Sequence, residues 1–120
     1  MFSRTLVSMA MASCLCAPAV AQLNIQFVGQ LNYQTTRSSN LSNLWGYTDE
    51  LGNEYALVGV CGVDQQNPGG IAVVDLTDPA NPQEIFFFPG PTSIWREIKV
   101  WDDHAYITTE AESGGITIVD

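Results

Sequence analysis

The chain has 120 residues, and 13 acidic against 4 basic side chains give it a formal net charge of −9. A chain this acidic repels phosphate backbones, which excludes the nucleic-acid-binding proteins that depend on clustered Lys and Arg. Anionic membranes are disfavoured for the same reason. The excess of carboxylates favours solubility in an extracellular or periplasmic setting.

The first residues have the pattern of a secretory signal peptide. Arg4 supplies the positive charge, residues 5–16 are mostly apolar, and an A-x-A cleavage signature ends at Ala21. We therefore expect a signal peptide over residues 1–21, a mature chain over residues 22–120 and no membrane span in it. Two alternatives are an N-terminal membrane anchor, for which the apolar run is short, and lipidation at Cys14. Cleavage would leave Cys61 as the one cysteine, which predicts a small buried apolar side chain and no intramolecular disulfide.

Strands and turns account for almost the whole mature chain, and no stretch has sustained helical periodicity. Short apolar runs rich in β-branched and aromatic residues alternate with Gly, Asn, Asp and Pro. An Asp102-Asp103 pair predicts a tight hairpin. The predicted strands cover residues 25–31, a run near 45–48, and then 55–60, 71–76, 84–88, 95–101, 105–109 and 116–119.

The chain contains an internal repeat. The sequence GGIAVVD at residues 69–75 returns as GGITIVD at residues 114–120, an offset of 45. Upstream, Ala56 corresponds to Ala105 and Trp45 to Trp95, so the offset shrinks along the chain. The change places a four-residue deletion in one loop. Repeats of this length built from short strands are typical of β-propellers and other stacked-sheet arrays.

The fold class predicted from this pattern is all-β, a β-propeller-like repeat of four-stranded antiparallel blades. One complete blade would cover residues 45–88, three strands of a second residues 95–120, and residues 25–31 would form an N-terminal strand. Residues 71–74 and 116–119 are apolar at nearly every position, which predicts strands covered on both faces. Because propellers need about four to eight blades, we expect an incomplete propeller of about one and three-quarter blades, the N-terminal part of a longer domain.

The sequence resembles a known family at these repeats. Residues 70–82, GIAVVDLTDPANP, look like the LVIVD repeat, a strand followed by a D-P-x-N-P turn. Together with LWGY at residues 44–47 and IWREIKV at 94–100, they are similar to the choice-of-anchor B family of secreted bacterial proteins. The resemblance implies an extracellular β-propeller-like domain, and in full-length members a variable C-terminal surface anchor that would lie beyond residue 120. It implies no catalytic residues.

The residue types needed for catalysis are sparse. His104 is the only histidine, which excludes a metal site built from several histidines, and we interpret it as a surface-turn residue. Glu97, Glu110 and Glu112 could supply the carboxylate pair of a glycosidase, and a secreted propeller-type hydrolase is the alternative function.

Metal and cofactor sites are not predicted. Asp75, Asp78 and Asn81 cluster around a turn, but their spacing is not that of a calcium-binding loop. Asp and Asn before Pro are ordinary turn residues.

A binding face is predicted instead. In a propeller, the loops that enter the inner strands share a face with the loops that join the two middle strands. An acidic rim around aromatic side chains can bind a protein or a carbohydrate, and packing between blades is the alternative role for the tryptophans. We expect a non-enzymatic, secreted or cell-surface binding or adhesion protein with an unknown protein or carbohydrate partner. The candidate binding residues are Trp45, Trp95, Arg96, Asp64 and Glu110.

Overall fold

The computed structural model describes residues 25–33, 40–64 and 66–120, so the predicted signal peptide lies outside the described residues. Almost every apolar run from residue 41 onwards forms a strand, and most of the strands are ended by Gly, Pro or Asp. The seven strands are β1 (Leu41–Thr48), β2 (Glu54–Val60), β3 (Gly70–Asp75), β4 (Gln83–Pro89), β5 (Arg96–Trp101), β6 (His104–Thr109) and β7 (Gly115–Val119).

The strands form two separate antiparallel sheets. The first sheet has the order β1-β2-β3-β4, and the second has the order β5-β6-β7. Every strand pairs with its neighbour in sequence, which is the arrangement that short turns produce. The protein is therefore all-β, as the sequence predicts.

Aspartate side chains shape the turns that join these strands. The Asp49 carboxylate accepts hydrogen bonds from the backbone N–H groups of Leu51 and Asn53 at 2.9 and 2.8 Å, which closes the β1–β2 loop. Asp102 and Asp103 have φ angles of 49° and 55° in the two-residue loop between β5 and β6. Positive φ at both positions is required by a type I′ hairpin and is tolerated by Asp. The predicted hairpin is confirmed, with His104 beside it.

The two sheets repeat the same strand register. Ala56 pairs with Val74 in the first sheet, and Ala105 pairs with Val119 in the second. The offsets of 49 and 45 residues found in the sequence therefore hold for every pair of β2–β3 and β6–β7. The intervening loops cover residues 61–69 and 110–114, a difference of four residues, so the predicted deletion lies there.

The sheets stack face to face through an apolar cluster. Ile98 of β5 is fully buried and packs with Leu57 and Ile71 of the first sheet and with Ala105 and Ile107 of the second. Alternate side chains of β1, β2 and β3 lie on the same face of the first sheet, and one such row packs in this interface. The other row, which includes Ala56, Val58, Ala72 and Val74, points to the opposite face.

The N-terminal segment covers that opposite face. Leu31 and Tyr33 pack against the apolar row of the first sheet. Gly29 approaches the turn after β3 so closely that an added Cβ would lie 2.4 Å from the Pro79 carbonyl oxygen. Residues 25–32 form no strand. The predicted N-terminal strand at residues 25–31 is therefore wrong: Leu31 packs on the sheet face, and Ile25 and Phe27 are exposed.

The predicted coverage on both faces is confirmed for β3, whereas β7 has one exposed face in the part of the chain that the structure describes. Ile71 and Ala72 are 5% and 0% exposed, whereas Ile116 and Ile118 are 66% and 59% exposed. Among the described residues, no element packs on the face of the second sheet that carries these two isoleucines. The strands β3 and β7 thus share an apolar sequence pattern. They differ in packing, because the described residues cover both faces of β3 and only one face of β7.

Candidate functional site

A cleft of about 330 Å³ opens where β1 and β5 begin and β6 ends. These two edge strands lie side by side, so the cleft joins the two sheets. Its lining combines one aromatic ring, two carboxylates and several neutral polar side chains. The lining residues are Ser42, Asn43, Trp95, Arg96, Glu97, Thr108, Thr109 and Glu110.

A β-bulge positions the residues of β1 that line the cleft. Leu41 pairs with Val60 and Leu44 pairs with Val58, so β1 has one extra residue in this interval. A side chain at Gly59 would collide with Ser42, because an added Cβ would lie 2.5 Å from the Ser42 Oγ atom. Bulges of this kind change the direction of side chains beside functional sites.

Asn43 and Glu97 form a bridge across the cleft. The Asn43 amide donates from Nδ2 to Oε2 of Glu97 at 2.6 Å. Glu97 also forms an ion pair with Lys99. The hydrogen bond and the positive charge of Lys99 lower the pKa of Glu97 below its usual value. This carboxylate is therefore held in its ionised form.

The ammonium group of Lys99 has a second contact. Its Nζ atom lies 4.4 Å from the centroid of the Trp45 ring. Trp45 also packs against the apolar interface between the sheets. A cation over an indole face is a favourable interaction. Here the Lys99 ammonium covers the ring of Trp45, which the sequence predicts as a binding residue.

Arg96 forms the floor of the cleft and is 4% exposed. Its Nη1 atom donates to the carbonyl oxygens of Val60 and Ser93, each at 2.9 Å. Its Nη2 atom donates to the carbonyls of Pro68 and Pro91. Desolvation lowers the pKa of Arg96, but an arginine keeps its proton in proteins. The guanidinium therefore ties the β2–β3 loop and the β4–β5 segment to β5.

Glu110 closes the β6 side of the cleft. The Ser93 hydroxyl donates to its Oε2 atom at 2.8 Å. Partial desolvation by itself would raise the pKa of Glu110, but the hydrogen bond from Ser93 and nearby backbone N–H groups lower it overall. Glu110 is thus an ionised carboxylate that holds the segment leading into Trp95.

Three of the five predicted binding residues come together here, and two do not. Trp95, Arg96 and Glu110 line the cleft, and the Trp95 side chain is 64% exposed. Trp45 lies outside its lining. Asp64 also lies outside it, because its carboxylate accepts hydrogen bonds from the Gln66 and Asn67 N–H groups of its own loop.

The predicted equivalence of Trp45 and Trp95 is wrong. Trp45 pairs with Leu57, whose counterpart in the second sheet is Tyr106, and Tyr106 pairs with Lys99. By register, the position in the second sheet that is equivalent to Trp45 is therefore Lys99, whereas Trp95 precedes β5. The sequence alignment fails here because the β1–β2 loop has five residues and the β5–β6 loop has two.

The remaining candidates are explained by local structure. Asp75 and Asp78 accept hydrogen bonds from the backbone N–H groups of Thr77 and Ala80, as turn residues do. Cys61 is buried, as predicted, and its thiol donates to the Ile94 carbonyl at 3.1 Å. Within residues 25–33, 40–64 and 66–120, no three His, Cys, Asp or Glu side chains are grouped as metal ligands would be.

Sequence reasoning missed Ser42, Asn43, Thr108 and Thr109 as cleft residues. Their positions depend on the bulge in β1 and on the way the two sheets stack, and neither has a local sequence signal. Gly59 and Gly114 are residues whose lack of a side chain bears on this geometry, since an added Cβ would collide with Ser42 and Thr109 respectively.

Comparison with protein-family models, with curated proteins and with solved structures gives no match. In the part of the chain that the structure describes, no helix has the length and the apolar character needed to cross a membrane.

Proposed function

We propose that this chain belongs to a secreted or cell-surface, non-enzymatic repeat protein of the β-propeller type that binds a protein or carbohydrate partner. The observation that carries the proposal is the cleft at β1 and β5, where an exposed Trp95 lies beside the ionised carboxylate of Glu110. An aromatic ring with a few fixed polar groups is the usual composition of a recognition site.

Three features support the proposal that the two sheets are successive blades of a propeller. The two sheets have the same register in β2–β3 and β6–β7, they stack face to face, and their first strands are adjacent. The resemblance of residues 70–82 to the LVIVD repeat agrees with this architecture and with the choice-of-anchor B family. In this proposal the cleft lies at the end of the inner strands, on the face that propellers use for binding.

The hydrolase alternative has less support from the same cleft. A glycosidase needs one carboxylic acid with a raised pKa to protonate the leaving group. Glu97 and Glu110 both line the cleft, but hydrogen bonds lower the pKa of each. Two carboxylates held ionised are suited to accepting hydrogen bonds from a ligand and poorly suited to donating a proton.

We expect the full chain to bind selected members of a glycan or peptide array through this cleft. Trp95→Leu should weaken that binding about tenfold or more, since exposed aromatic anchors dominate such sites. Trp101→Leu is the matched control, because Trp101 is 72% exposed but lies outside the cleft. Absence of array binding, or equal losses in both variants, would contradict the proposal. Glycan cleavage that Glu110→Gln abolishes would favour the hydrolase.

Export provides a separate test of the proposed localisation. When the full chain is produced in a bacterial host, we expect cleavage after Ala21, because small residues at Ala19 and Ala21 fit the signal peptidase. N-terminal sequencing of the exported protein should begin at Gln22. Ala21→Leu should leave unprocessed precursor, and Gln22→Asn should be processed normally. A mature chain that starts at a lipidated Cys14 would refute this prediction.

A further inference from the structure

The edge formed by β1 and β5 already binds one ammonium group, its own. Lys99 places Nζ 4.4 Å from the centroid of the Trp45 ring and forms an ion pair with Glu97. The indole face contributes a cation–π interaction, and the carboxylate contributes charge and a hydrogen-bond acceptor. A tryptophan beside a glutamate is thus a combination that holds an ammonium on this chain.

The neighbouring cleft contains the same two residue types, Trp95 and Glu110. Among the described residues, the side chains that donate hydrogen bonds to the Glu110 carboxylate are the neutral hydroxyls of Ser93 and Thr109. Arg96 lies close enough for its charge to interact with Glu110. Its Nη atoms, however, donate to four backbone carbonyls.

We propose that this cleft binds the ammonium group of a lysine side chain presented by a partner protein. The indole of Trp95 would contact the aliphatic stem of that lysine, and Glu110 would accept a hydrogen bond from its ammonium. The proposal rests on the binding function proposed above and names the partner chemistry of the same cleft.

Size and charge both favour a lysine. A volume of about 330 Å³ is at the lower end for a ligand site, which suits one extended side chain better than an oligosaccharide. The formal net charge of −9 attracts basic partners over long distances and speeds their association. A lysine combines a long apolar stem with a compact charge, so it matches an aromatic wall that ends at a carboxylate.

The test is an NMR titration of the full chain with Nα-acetyl-lysine methylamide. The readout is the indole N–H signal of Trp95, assigned through its absence in Trp95→Phe. We expect this signal to shift to saturation, and the affinity to fall about threefold or more between 50 and 500 mM salt, because screening weakens charge pairs. The Nε-acetylated form of the probe should leave the signal unchanged, since acetylation removes the charge.

Two variants connect the response to the two residues. Glu110→Gln keeps an acceptor for Ser93 but removes the charge, and we expect about tenfold weaker binding. Trp95→Leu changes an exposed side chain that does not hold the fold together, and it should lose binding as well, with the backbone signals of the cleft as readout. Trp101→Leu should bind like the original chain.

Three outcomes would overturn the inference. They are an equal response to the acetylated probe, unchanged affinity in Glu110→Gln, and a Trp95 response to neutral sugars alone. Array binding that depends on Trp95 but involves no lysine would refute this inference and leave the proposed function standing. Absence of both array and lysine binding would refute both.

Discussion

Ile71→Asp should abolish cooperative unfolding of this chain or lower its stability by about 4 kcal/mol or more. Ile71 is 5% exposed and packs with Ile98 and Ile107 at the centre of the interface between the sheets. A carboxylate there would be buried, and the described residues of that apolar cluster include no cation to pair with it. Burial of an unpaired charge is among the most destabilising single changes. Urea denaturation followed by tryptophan fluorescence measures the effect.

The repeat supplies a matched control for this substitution. Ile116 holds the equivalent register position in β7, since Ile71 pairs with Gly59 and Ile116 pairs with Thr108. Ile116 is 66% exposed, so Ile116→Asp should change stability by less than about 1 kcal/mol. Equal losses at the two positions would mean that the face of the second sheet is covered in solution, contrary to the stacking described above.

Arg96→Met should lower the free energy of unfolding by about 3–5 kcal/mol. The guanidinium donates to the carbonyls of Val60, Ser93, Pro68 and Pro91, and a methionine would remove these four hydrogen bonds. The Ser93 carbonyl would keep only its bond from the Gly62 N–H group. Arg96→Lys should recover only part of the loss, because an ammonium lacks the planar fork that reaches carbonyls on two sides.

The thiol of Cys61 gives a local readout for the same variant. Cys61 is buried and donates to the Ile94 carbonyl in the segment that Arg96 holds. Loosening of that segment should therefore make the thiol react faster with a thiol reagent under native conditions. Lys99→Met, at a side chain 54% exposed, is the control and should change neither the reactivity nor the stability appreciably. Arg96→Met with unchanged stability and unchanged Cys61 reactivity would show that the four hydrogen bonds do not hold the loops.

The sequence predicts the strands well because their determinants are local. Apolar alternation and turn residues place β2 to β7 within a residue or two of their observed bounds. The repeat also locates the length difference between the β2–β3 and β6–β7 loops. Both features depend on residues that are near one another in the chain, so no tertiary information is required.

The errors concern properties that depend on distant parts of the chain. Residues 25–31 have the composition of a strand, but they form none, and only the end of the segment, with Leu31 and then Tyr33, packs on a sheet face. Ile118 of β7 is equivalent to Val73 of β3, and both strands are apolar at nearly every position. Ile118 is nevertheless exposed, because burial depends on which element packs on that face of the sheet. The length of the hairpin loop decides which residue of β5 is equivalent to Trp45, and the sequence similarity around Trp45 and Trp95 conceals this.

The candidate site is recovered only in part for the same reason. Trp95 and Glu110 are found because each lies next to a predicted loop of the same face. Asn43 is missed because a bulge brings it to Glu97 across the sheet boundary. Arg96 is found, but its burial depends on four carbonyls from three separate segments, which no local pattern indicates.

The shared register of β2–β3 and β6–β7 shows that the pairing of these strands does not depend on the length of the loop that connects them. A nine-residue connection in one sheet and a five-residue connection in the other leave the strand pairing unchanged. Duplication of such a unit can therefore be followed by free variation of the loop beside the cleft while the core stays constant. Loop exchange between the two units offers a route to altered recognition without redesign of either sheet.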